Sequence, residues 1–381
     1  MQRILHCIIL LFLGFCTVAQ NFNQDISDYT LRVDSVPFQL VNYEGFGPKP
    51  SGSPALDLTR DWLLKKYQQY GYAPQIDTFI YQGKKAYNII VEKHGEDSNQ
   101  WIIIGAHYDS VDESPGANDN GSGVVATLQI ARIIRDLNPR VGVRVINFGA
   151  EELGYIGSSH YVNNTLKSTD SIQLMINLDQ LGGTLGKDNS KIVCERDEFQ
   201  NPSSNNELSA LKTDTLATIL TLYTDLTPVL SAAYASDYIP FESKGIVITG
   251  LYQESDYKDH YHQSSDRVSN MDVNATEEVI RGAVAATVYF SRVPTTAGIN
   301  NRVYSKPIIT PNPAQDNVIF STINYPFKVQ IFSNLGYLLM DKEMNVSDRL
   351  DVAFLPNGIY SVRISDLRNI QTSYSTLIIA R

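Results

Sequence analysis

The sequence has few cysteines and little positive charge, and both shortages narrow the class of protein. Of the 381 residues only three are cysteine. Two of them, Cys7 and Cys16, lie within the first twenty residues, so no internal disulfide is expected once that segment is removed. The third, Cys194, lies in a predicted strand, and we interpret it as a buried thiol. The formal net charge is −10. Because a general nucleic-acid-binding protein needs a basic surface for phosphates, nucleic acid is not an expected partner.

Long hydrophobic runs are also scarce. Beyond the N-terminus no stretch is apolar over the roughly 20 residues that a membrane-spanning helix needs, so we expect no stable membrane insertion. The one apolar run, residues 4–15, follows Arg3 and precedes small residues at positions 17–19. This order is typical of a signal peptide that is cleaved during secretion. Residues 1–20 are therefore predicted to be a signal peptide and are left out of the fold prediction.

Between residues 21 and 293, short runs rich in Ile and Val alternate with longer segments of helical periodicity. The predicted strands cover residues 87–92, 101–106, 143–148, 172–178, 191–195 and 246–250. The predicted helices cover residues 55–70, 121–137, 159–166, 207–222 and 276–292. Strands that alternate with helices are typical of an α/β fold with a mostly parallel central sheet. Buried parallel strands are almost continuously apolar, and these strands have that character.

The pattern changes after residue 293. Residues 294–302 begin with Pro-Thr-Thr-Ala-Gly and are predicted to be a linker. The helical period then disappears, and short alternating strands follow one another between turns. These predicted strands cover residues 318–322, 328–333, 337–342, 349–353, 358–364 and 374–379. Residues 303–381 are therefore predicted to form a small C-terminal all-β sandwich.

Residues able to bind a metal follow three strands of the predicted α/β domain. The strand that begins at residue 101 runs directly into His107, the strand from residue 143 is followed by Glu151 and Glu152, and the strand from residue 172 by Asp179. In an open parallel sheet the ligand crevice lies beyond the carboxyl ends of the strands. A single acid after a strand often only caps a turn, but this set together favours a metal site at one edge of the sheet.

Two further segments carry candidate ligands. Asp119 lies at the centre of the glycine-rich segment GANDNGSG, which lacks a phosphate-binding glycine pattern. A carboxylate at its centre would repel a phosphate, so presentation to cations fits better. A second histidine ligand could be His260 or His262, and the chemistry of the residues alone leaves both open. His94 and His160 lack such surroundings and are interpreted as structural.

Five segments, in order, resemble the co-catalytic zinc aminopeptidases. They are HYDSV at 107–111, GANDNGSG at 116–123, FGAEELGYIGS at 148–158, INLDQLG at 176–182 and YHQSSDRV at 261–268. This metallopeptidase family includes bacterial leucyl aminopeptidases and, more distantly, glutamate carboxypeptidase and glutaminyl cyclase. The resemblance implies a zinc-exopeptidase fold, with helices on both faces of the central sheet. The segment ASDYIPF departs from the family pattern, because Tyr238 stands where that pattern usually has histidine.

The resemblance also implies two zinc ions per chain and their ligands. Asp119 corresponds to the carboxylate that bridges the two metals. His107 and Asp179 correspond to the other ligands of one zinc, and Glu152 and His262 to those of the second. Imidazole and carboxylate ligands suit zinc.

The family's spacing decides between the two histidines. Its last histidine is followed by an acid four residues later, which matches His262 and Asp266 and leaves His260 outside the ligand set. In this family the peptide bond after the bridging aspartate is often cis. We therefore expect a cis bond between Asp119 and Asn120.

Three catalytic roles follow from the same resemblance. Asp109 corresponds to an acid that orients His107, Glu151 to the general base, and Tyr261 to a tyrosine that helps to hold the oxyanion. The implied function is that of a secreted metallo-exopeptidase, an aminopeptidase that releases N-terminal residues from peptides. In the implied reaction, the two zinc ions lower the pKa of a shared water and supply a di-zinc-bound hydroxide. Glu151 takes the water's proton and passes it to the leaving amine.

The C-terminal segment resembles a type IX secretion sorting domain. The resemblance lies in TPNP at 310–313, the strand from residue 329, the NLG turn at 334–336 and LPNGIY at 355–360. It implies that the type IX secretion machinery is a partner. Together with the signal peptide, it implies an extracellular or cell-surface location in a Gram-negative bacterium. The alternative for this segment is a sandwich that binds carbohydrate or another surface.

Two alternatives to an aminopeptidase follow from the same residues. One is another enzyme of the family, a glutaminyl cyclase, which uses a single zinc, or a carboxypeptidase. The other is a non-catalytic binding ectodomain on an inactive peptidase fold. Such ectodomains usually lose metal ligands, whereas all five candidates are present in this sequence.

Overall fold

The structure of the chain is a computed structural model. It describes residues 22–198, 201–253, 260–295, 308–321, 327–333, 338–345, 348–366 and 372–381. The predicted signal peptide and most of the predicted linker lie outside these residues. The chain divides into two compact units, Met1–Thr295 and Thr296–Arg381. No helix in the described part of the chain is both long enough and apolar enough to cross a membrane.

The first unit contains eight α-helices and ten strands in its described residues. The helices are α1 (Gln24–Thr30), α2 (Val36–Glu44), α3 (Pro54–Gln69), α4 (Gly121–Ile134), α5 (Ile156–His160), α6 (Asn206–Tyr223), α7 (Ile239–Glu242) and α8 (Val273–Phe290). The strands are β1 (Gln75–Tyr81), β2 (Lys84–Lys93), β3 (Asp97–His107), β4 (Val141–Phe148), β5 (Ser171–Leu178), β6 (Gly183–Thr184), β7 (Lys191–Arg196), β8 (Thr227–Ala232), β9 (Ile248–Gln253) and β10 (Met271–Asp272).

Eight of these strands form one mixed sheet in the order β1-β2-β4-β3-β5-β9-β7-β8. The four central strands β4, β3, β5 and β9 run parallel to one another, and β7 and β8 are parallel to each other. The pairs β1–β2, β2–β4 and β7–β9 are antiparallel. The predicted α/β class is confirmed, and the parallel part of the sheet is its centre.

The central strands are apolar throughout because helices cover both of their faces. On β3, Ile102 and Ile104 pack in a core with α4 and α8. Ile103, between them, points the other way and packs with Tyr161 and Phe241 in a second core. Successive strand residues face opposite sides of a sheet, so a strand buried on both sides needs apolar residues at every position.

The sequence prediction missed several elements of this unit. Strands β1 and β8 form the two edges of the sheet, and most of their side chains are partly or fully exposed. Helices α1, α2 and α7 are short, with four to nine residues each. Strand β9 begins two residues later than predicted. The predicted helix at 159–166 continues α5 as the π-helical turn Tyr161–Thr165. Short and half-exposed elements carry little periodicity, which explains these misses.

The second unit consists of strands only in its described residues. They are β11 (Ile308–Thr310), β12 (Asn317–Ser321), β13 (Phe327–Phe332), β14 (Leu338–Met344), β15 (Arg349–Asp351), β16 (Gly358–Asp366) and β17 (Thr372–Ile379). They form a three-stranded and a four-stranded antiparallel sheet. Val318 and Leu350 of the first sheet share one apolar core with Val329 and Val362 of the second. Two sheets around one core are a sandwich, as predicted.

Candidate metal centre

The three predicted strand ends meet at one edge of the central sheet. His107 is the last residue of β3, Glu151 and Glu152 follow β4, and Asp179 follows β5. Because β4, β3 and β5 are adjacent and parallel, their carboxyl ends lie side by side. The strand order therefore brings together side chains that are up to 72 residues apart in sequence.

Asp119 reaches the same edge from the loop before α4. The side chain of Asn120 caps this helix, since its Oδ1 accepts a hydrogen bond from the backbone N–H of Gly123 at 3.0 Å. The Nδ2 of Asn120 donates to the backbone carbonyl of Leu178 at 2.9 Å, which ties the loop to the end of β5. The Asp119–Asn120 peptide bond is cis, as expected.

Glu151 lies within ligand distance of His107 and Glu152, and two further groups of candidate ligands share Asp119. In one group, His107 Nε2 lies 3.3 Å from Asp119 Oδ1 and 3.4 Å from Asp179 Oδ1. In the other, His262 Nε2 lies 3.3 Å from Asp119 Oδ2 and 3.1 Å from Glu152 Oε2. Each oxygen of one carboxylate thus faces a different histidine, which is the arrangement that a bridging ligand requires.

The donor set fits zinc. Two of its buried carboxylate oxygens, Glu152 Oε1 and Asp179 Oδ1, form no hydrogen bond within the described residues. Buried polar atoms without a partner carry a free-energy cost that a bound cation would remove. Two imidazoles and three carboxylates are nitrogen and oxygen donors of the kind that zinc takes in proteins.

Acidic side chains outnumber histidines at this centre. The pKa values of Glu151, Glu152 and His262 are all raised above their usual values. Burial, opposed by the charge of His107, raises the pKa of Glu151 to about 10, and the nearby Asp237 contributes to this rise. Burial also raises the pKa of Glu152 to about 7. Hydrogen-bonding contacts with Asp119 and Glu152 raise the pKa of His262 to about 10. The same crowding of negative charge attracts a divalent cation.

Asp109 is placed so that it organises the loop of Glu151 and Glu152. Its Oδ1 accepts a hydrogen bond from the backbone N–H of Glu151 at 3.1 Å, and its Oδ2 accepts one from Glu152 at 3.3 Å. The Nδ1 of His107 lies 3.6 Å from Asp109 Oδ1 and 3.2 Å from the backbone carbonyl of Asp109. Both the carboxylate and the carbonyl of Asp109 therefore face the second nitrogen of this imidazole.

Tyr261 and His260, the two other candidates beside His262, contact different neighbours. The ring of Tyr261 stacks on His262 with the ring centroids 3.7 Å apart, and the residue is 42% exposed. His260 belongs to neither ligand group, and its Nδ1 lies 2.9 Å from Ser265 Oγ. His160 lies 3.2 Å from Asp77, away from this centre.

The sequence analysis did not identify several buried residues that contact the candidate ligands or their neighbours. Ser236 Oγ donates to Asp179 Oδ2 at 2.8 Å, and Asn177 donates to Ser236 Oγ at 2.9 Å. Tyr238, which departs from the family pattern, donates to Glu195 Oε1 at 3.2 Å and is fully buried. The only signal in the sequence was the segment ASDYIPF itself, because none of these contacts lies between neighbours along the chain.

The fold is α/β, and the candidate ligands, of the kind that metalloproteins use, lie at the carboxyl ends of its central strands. Residues 88–287 match the family described as Peptidase family M28. That match covers more than half of the chain, and the chain belongs to this family. Membership implies zinc, and the predicted resemblance to the zinc aminopeptidases is confirmed.

The chain is similar to several curated and solved relatives. Aminopeptidase YwaD of Bacillus subtilis is 32% identical over 196 residues, which are 49% of this chain and 40% of that protein. Leupeptin-inactivating enzyme 1 of Streptomyces exfoliatus is 30% identical over 215 residues, which are 55% of this chain and 46% of that protein. The chain thus spans less than half the length of these curated relatives.

Solved structures share the fold at low identity. LapB from Legionella pneumophila has a TM-score of 0.61 at 19% identity, over 70% of this chain and 75% of that one. Porphyromonas gingivalis glutaminyl cyclase has a TM-score of 0.58 at 21% identity, over 68% of this chain and 98% of that one. At such identities the likeness establishes the fold alone.

The C-terminal unit has a separate match. Residues 308–380 match the family described as Secretion system C-terminal sorting domain. The presence of this domain indicates that the protein is secreted, and it confirms the predicted resemblance of the C-terminal segment to a sorting domain.

Proposed function

We propose that this protein is a secreted, zinc-dependent aminopeptidase that hydrolyses the first peptide bond of peptides. The observation that carries the proposal is the position of Asp119, whose two carboxylate oxygens each lie 3.3 Å from a different histidine. Membership of Peptidase family M28 and the names of the curated relatives support the same reaction.

In this proposal, two zinc ions share one ligand. His107 and Asp179 would hold the first zinc, Glu152 and His262 would hold the second, and Asp119 would serve as a ligand to both. When bound, zinc supplies a Lewis acid that polarises the scissile carbonyl and lowers the pKa of water. The positions of the five side chains are kept by hydrogen bonds such as that from Ser236 to Asp179.

Glu151 is the proposed general base. It lies beside the ligand groups, with its Oε2 4.0 Å from His107 Nε2. Its carboxylate takes a proton from the attacking water and delivers it to the nitrogen of the leaving amine. Its neighbour Glu152 is a ligand instead, and Asp109 holds the backbone N–H of each, so that the two side chains keep different directions.

Tyr261 is the residue that we propose to stabilise the oxyanion of the reaction by a hydrogen bond, in addition to zinc. Its ring is held against His262, and the residue is partly exposed at the edge of the site. Burial, with the nearby charges of Asp119 and Glu152, raises the pKa of Tyr261 well above its usual value. The hydroxyl therefore keeps its proton at neutral pH and can donate it in a hydrogen bond.

The test combines metal analysis with a substrate panel on the full-length protein. We expect two zinc ions per chain, and we expect release of p-nitroaniline from amino-acid p-nitroanilides. A peptide with a blocked N-terminus serves as the control, and we expect it to remain intact. Release of amino acids from the C-terminus of this blocked peptide would instead identify a carboxypeptidase.

Glutaminyl cyclase is the second candidate, because a solved cyclase shares this fold and the fold alone does not separate the two reactions. A cyclase is expected to hold a single zinc and to convert an N-terminal glutamine peptide without releasing an amino acid. Mass spectrometry distinguishes the two reactions, since cyclisation removes ammonia from the peptide and hydrolysis removes a residue.

We further propose that the C-terminal unit directs export through the type IX machinery of a Gram-negative bacterium. The match of residues 308–380 to a sorting domain supports this route. Deletion of residues 303–381 is expected to retain the protein inside the cell envelope, whereas the full chain reaches the surface or the medium. Cell fractionation with an antibody to the first unit measures the difference.

A further inference from the structure

A buried carboxyl that the proposed mechanism does not use lies close to the metal centre. Glu195, near the end of β7, is 1% exposed. It pairs with Gly250 of β9, which in turn pairs with Asn177 of β5. Residues paired across neighbouring strands point to the same face of a sheet. Glu195 and Asn177 therefore lie on one face, and Asp179 follows on that face two residues after Asn177.

Gly250 provides the space that this carboxyl occupies. A Cβ atom at Gly250 would lie 2.8 Å from Glu195 Oε2 and 3.2 Å from a ring carbon of Tyr238. Tyr238 fixes the other carboxylate oxygen, because its hydroxyl donates to Glu195 Oε1 at 3.2 Å. The residue that departs from the family pattern thus holds Glu195 in place.

Two buried hydrogen-bond acceptors at this position have no hydrogen-bond donor among the described residues. Glu195 Oε2 and Asn177 Oδ1 form no hydrogen bond with any described residue. No Lys or Arg in the described ranges lies within ion-pair distance of Glu195. Burial, followed by the charge of Asp179, raises the pKa of Glu195 to about 8. A buried carboxyl of this kind is stabilised when a cation is brought to it.

Two tyrosines extend this position towards solvent. Tyr234 is 37% exposed, and its ring centroid lies 5.5 Å from that of Tyr252. The backbone N–H of Tyr234 donates to the Tyr238 hydroxyl at 2.8 Å, and that hydroxyl donates in turn to Glu195, so Tyr234 lies next to the group that holds the carboxylate. Aromatic rings beside a carboxylate are a common surrounding for organic cations.

We propose that Glu195, with Asn177 and Tyr234, forms a subsite for the cationic side chain of an N-terminal lysine or arginine. This inference rests on the proposed aminopeptidase function and gives it a substrate class. The α-amine of a substrate is two bonds from the scissile carbonyl carbon, so it stays at the metal ligands. The carboxylate of Glu195 lies over Gly250, on the strand next to Asn177. It is therefore about 5 Å across the sheet and about 6–7 Å along it from Asp179, or roughly 8 Å in all. An extended lysine side chain, together with the hydrogen bond of its ammonium group, spans this separation.

The test compares two substrates that differ only in the cationic group. The p-nitroanilides of lysine and norleucine have side chains of similar length, and norleucine lacks the ammonium. For the zinc-loaded wild-type protein we expect kcat/KM for the lysine substrate to exceed that for norleucine by about tenfold or more. Equal values for the two substrates would overturn the subsite.

The variant Glu195→Gln keeps the shape of the side chain and removes its charge. We expect it to lower kcat/KM for the lysine substrate about tenfold while the norleucine value stays within about threefold. Tyr238→Phe, which frees Oε1, is expected to give a smaller loss for lysine only. Glu198→Gln is the matched control, because Glu198 is a nearby carboxylate that pairs with Arg196. Equal losses for both substrates in Glu195→Gln would show a structural role instead.

A binding experiment separates this inference from the proposed reaction. Lysine hydroxamate and norleucine hydroxamate are titrated into zinc-loaded wild type and Glu195→Gln by calorimetry. We expect the lysine compound to bind about tenfold more tightly to wild type, with the difference lost in the variant. If no p-nitroanilide is hydrolysed but this discrimination is present, the aminopeptidase proposal fails and the cationic subsite stands. If wild type binds both compounds equally, the subsite is wrong whatever the reaction.

Discussion

The carboxylate of Asp266 accepts a hydrogen bond from the backbone N–H of Asp119 at 3.1 Å, across 147 residues of sequence. Its other oxygen accepts one from the backbone N–H of Asn118 at 2.8 Å. Asp266 also follows His262 by four residues, so one buried carboxylate joins the loop of Asp119 to the loop of His262. The His-to-acid spacing in the sequence therefore has a structural reason.

Asp266→Asn is expected to weaken zinc binding by about 10–100-fold. Both carboxylate oxygens accept backbone N–H groups, and an amide NH₂ in place of one of them would set two donors against each other. Zinc affinity is measured by competition with a chromogenic chelator. Asp112→Asn, at an exposed position, is the control and is expected to bind zinc as wild type does. Unchanged affinity in Asp266→Asn would mean that this contact does not position the loop.

His262→Ala and His260→Ala form a matched pair that tests the choice between the two histidines. His262 faces Asp119 and Glu152, whereas His260 faces Ser265. We expect His262→Ala to retain about one zinc per chain and to lose most of its activity, and His260→Ala to retain both zinc ions. Metal analysis after dialysis measures the stoichiometry, and the reverse pattern would exchange the two assignments.

Glu151→Ala is expected to abolish peptide hydrolysis while zinc remains bound. Glu151 lies beside the ligand groups, and a base removed from the site lowers the rate by about 10²–10⁴-fold or more. The measurement is kcat on a p-nitroanilide together with zinc content. Activity near the wild-type rate would contradict the proposed mechanism, and loss of zinc would show that Glu151 acts as a ligand.

A buried acid pair away from the ligands predicts a pH dependence of stability. Asp197 and Glu242 are both 1% exposed, and their carboxyl oxygens have no partner beyond the pair itself in the part of the chain that is described. Burial, and then contact with Asp197, raise the pKa of Glu242 from 4.5 to about 8. The folded state thus keeps a proton that the unfolded chain releases above about pH 4.5. Stability is therefore expected to fall as the pH rises from about 5 to about 8.

Glu242→Gln removes this titration, because glutamine cannot lose the proton. The variant is expected to gain stability over wild type by at least about 1 kcal/mol between pH 5 and pH 8. Urea unfolding at several pH values measures the free energy. Glu207→Gln, at an exposed position on α6, is the control and is expected to follow wild type. A difference that does not change with pH would argue against a shared proton.

Gly157→Ala is expected to destabilise the loop that carries Glu151 and Glu152. A Cβ at Gly157 would collide with the carbonyl oxygen of Gly149 and with Oδ1 of Asn88. Asn88 is buried and forms hydrogen bonds with both Gly149 and Gly157, so the carbonyl oxygen of Gly149 and Oδ1 of Asn88 cannot move aside freely. We expect a loss of about 1–3 kcal/mol in unfolding free energy. Ser159→Ala, on the same helix, is the control, and equal effects of the two changes would remove the steric explanation.

The prediction of the fold succeeded where the residues themselves carry a strong period. Strands β4 and β5 are long apolar runs, and helix α4 begins at a capping asparagine, so the starts of these elements were predicted closely. Only the apolar part of β3 was predicted, because the strand begins four residues earlier with polar side chains. The edge strand β8 has mixed exposure and was not predicted. Nor could the antiparallel pairing of β7 with β9 be predicted, because strand direction depends on connections through the whole domain.

The candidate ligands were available from sequence because each lies in a short segment with a recognisable pattern. Strand ends locate His107 and Asp179, and the spacing to Asp266 selects His262. The surrounding contacts were not available, because Ser236 meets Asp179, and Tyr238 meets Glu195, only after strands and loops from different parts of the chain are packed together.

The sequence by itself determined the α/β class, the separate β-sandwich and which residues are candidates for binding metal. Those properties depend on periodicity and side-chain chemistry, which are local. Only the tertiary structure decided that Asp119 turns one oxygen to each histidine and that Glu195 lies on the same sheet face as Asp179. Such relationships depend on strand order, strand direction and the space left by Gly250, and these arise from packing among distant segments.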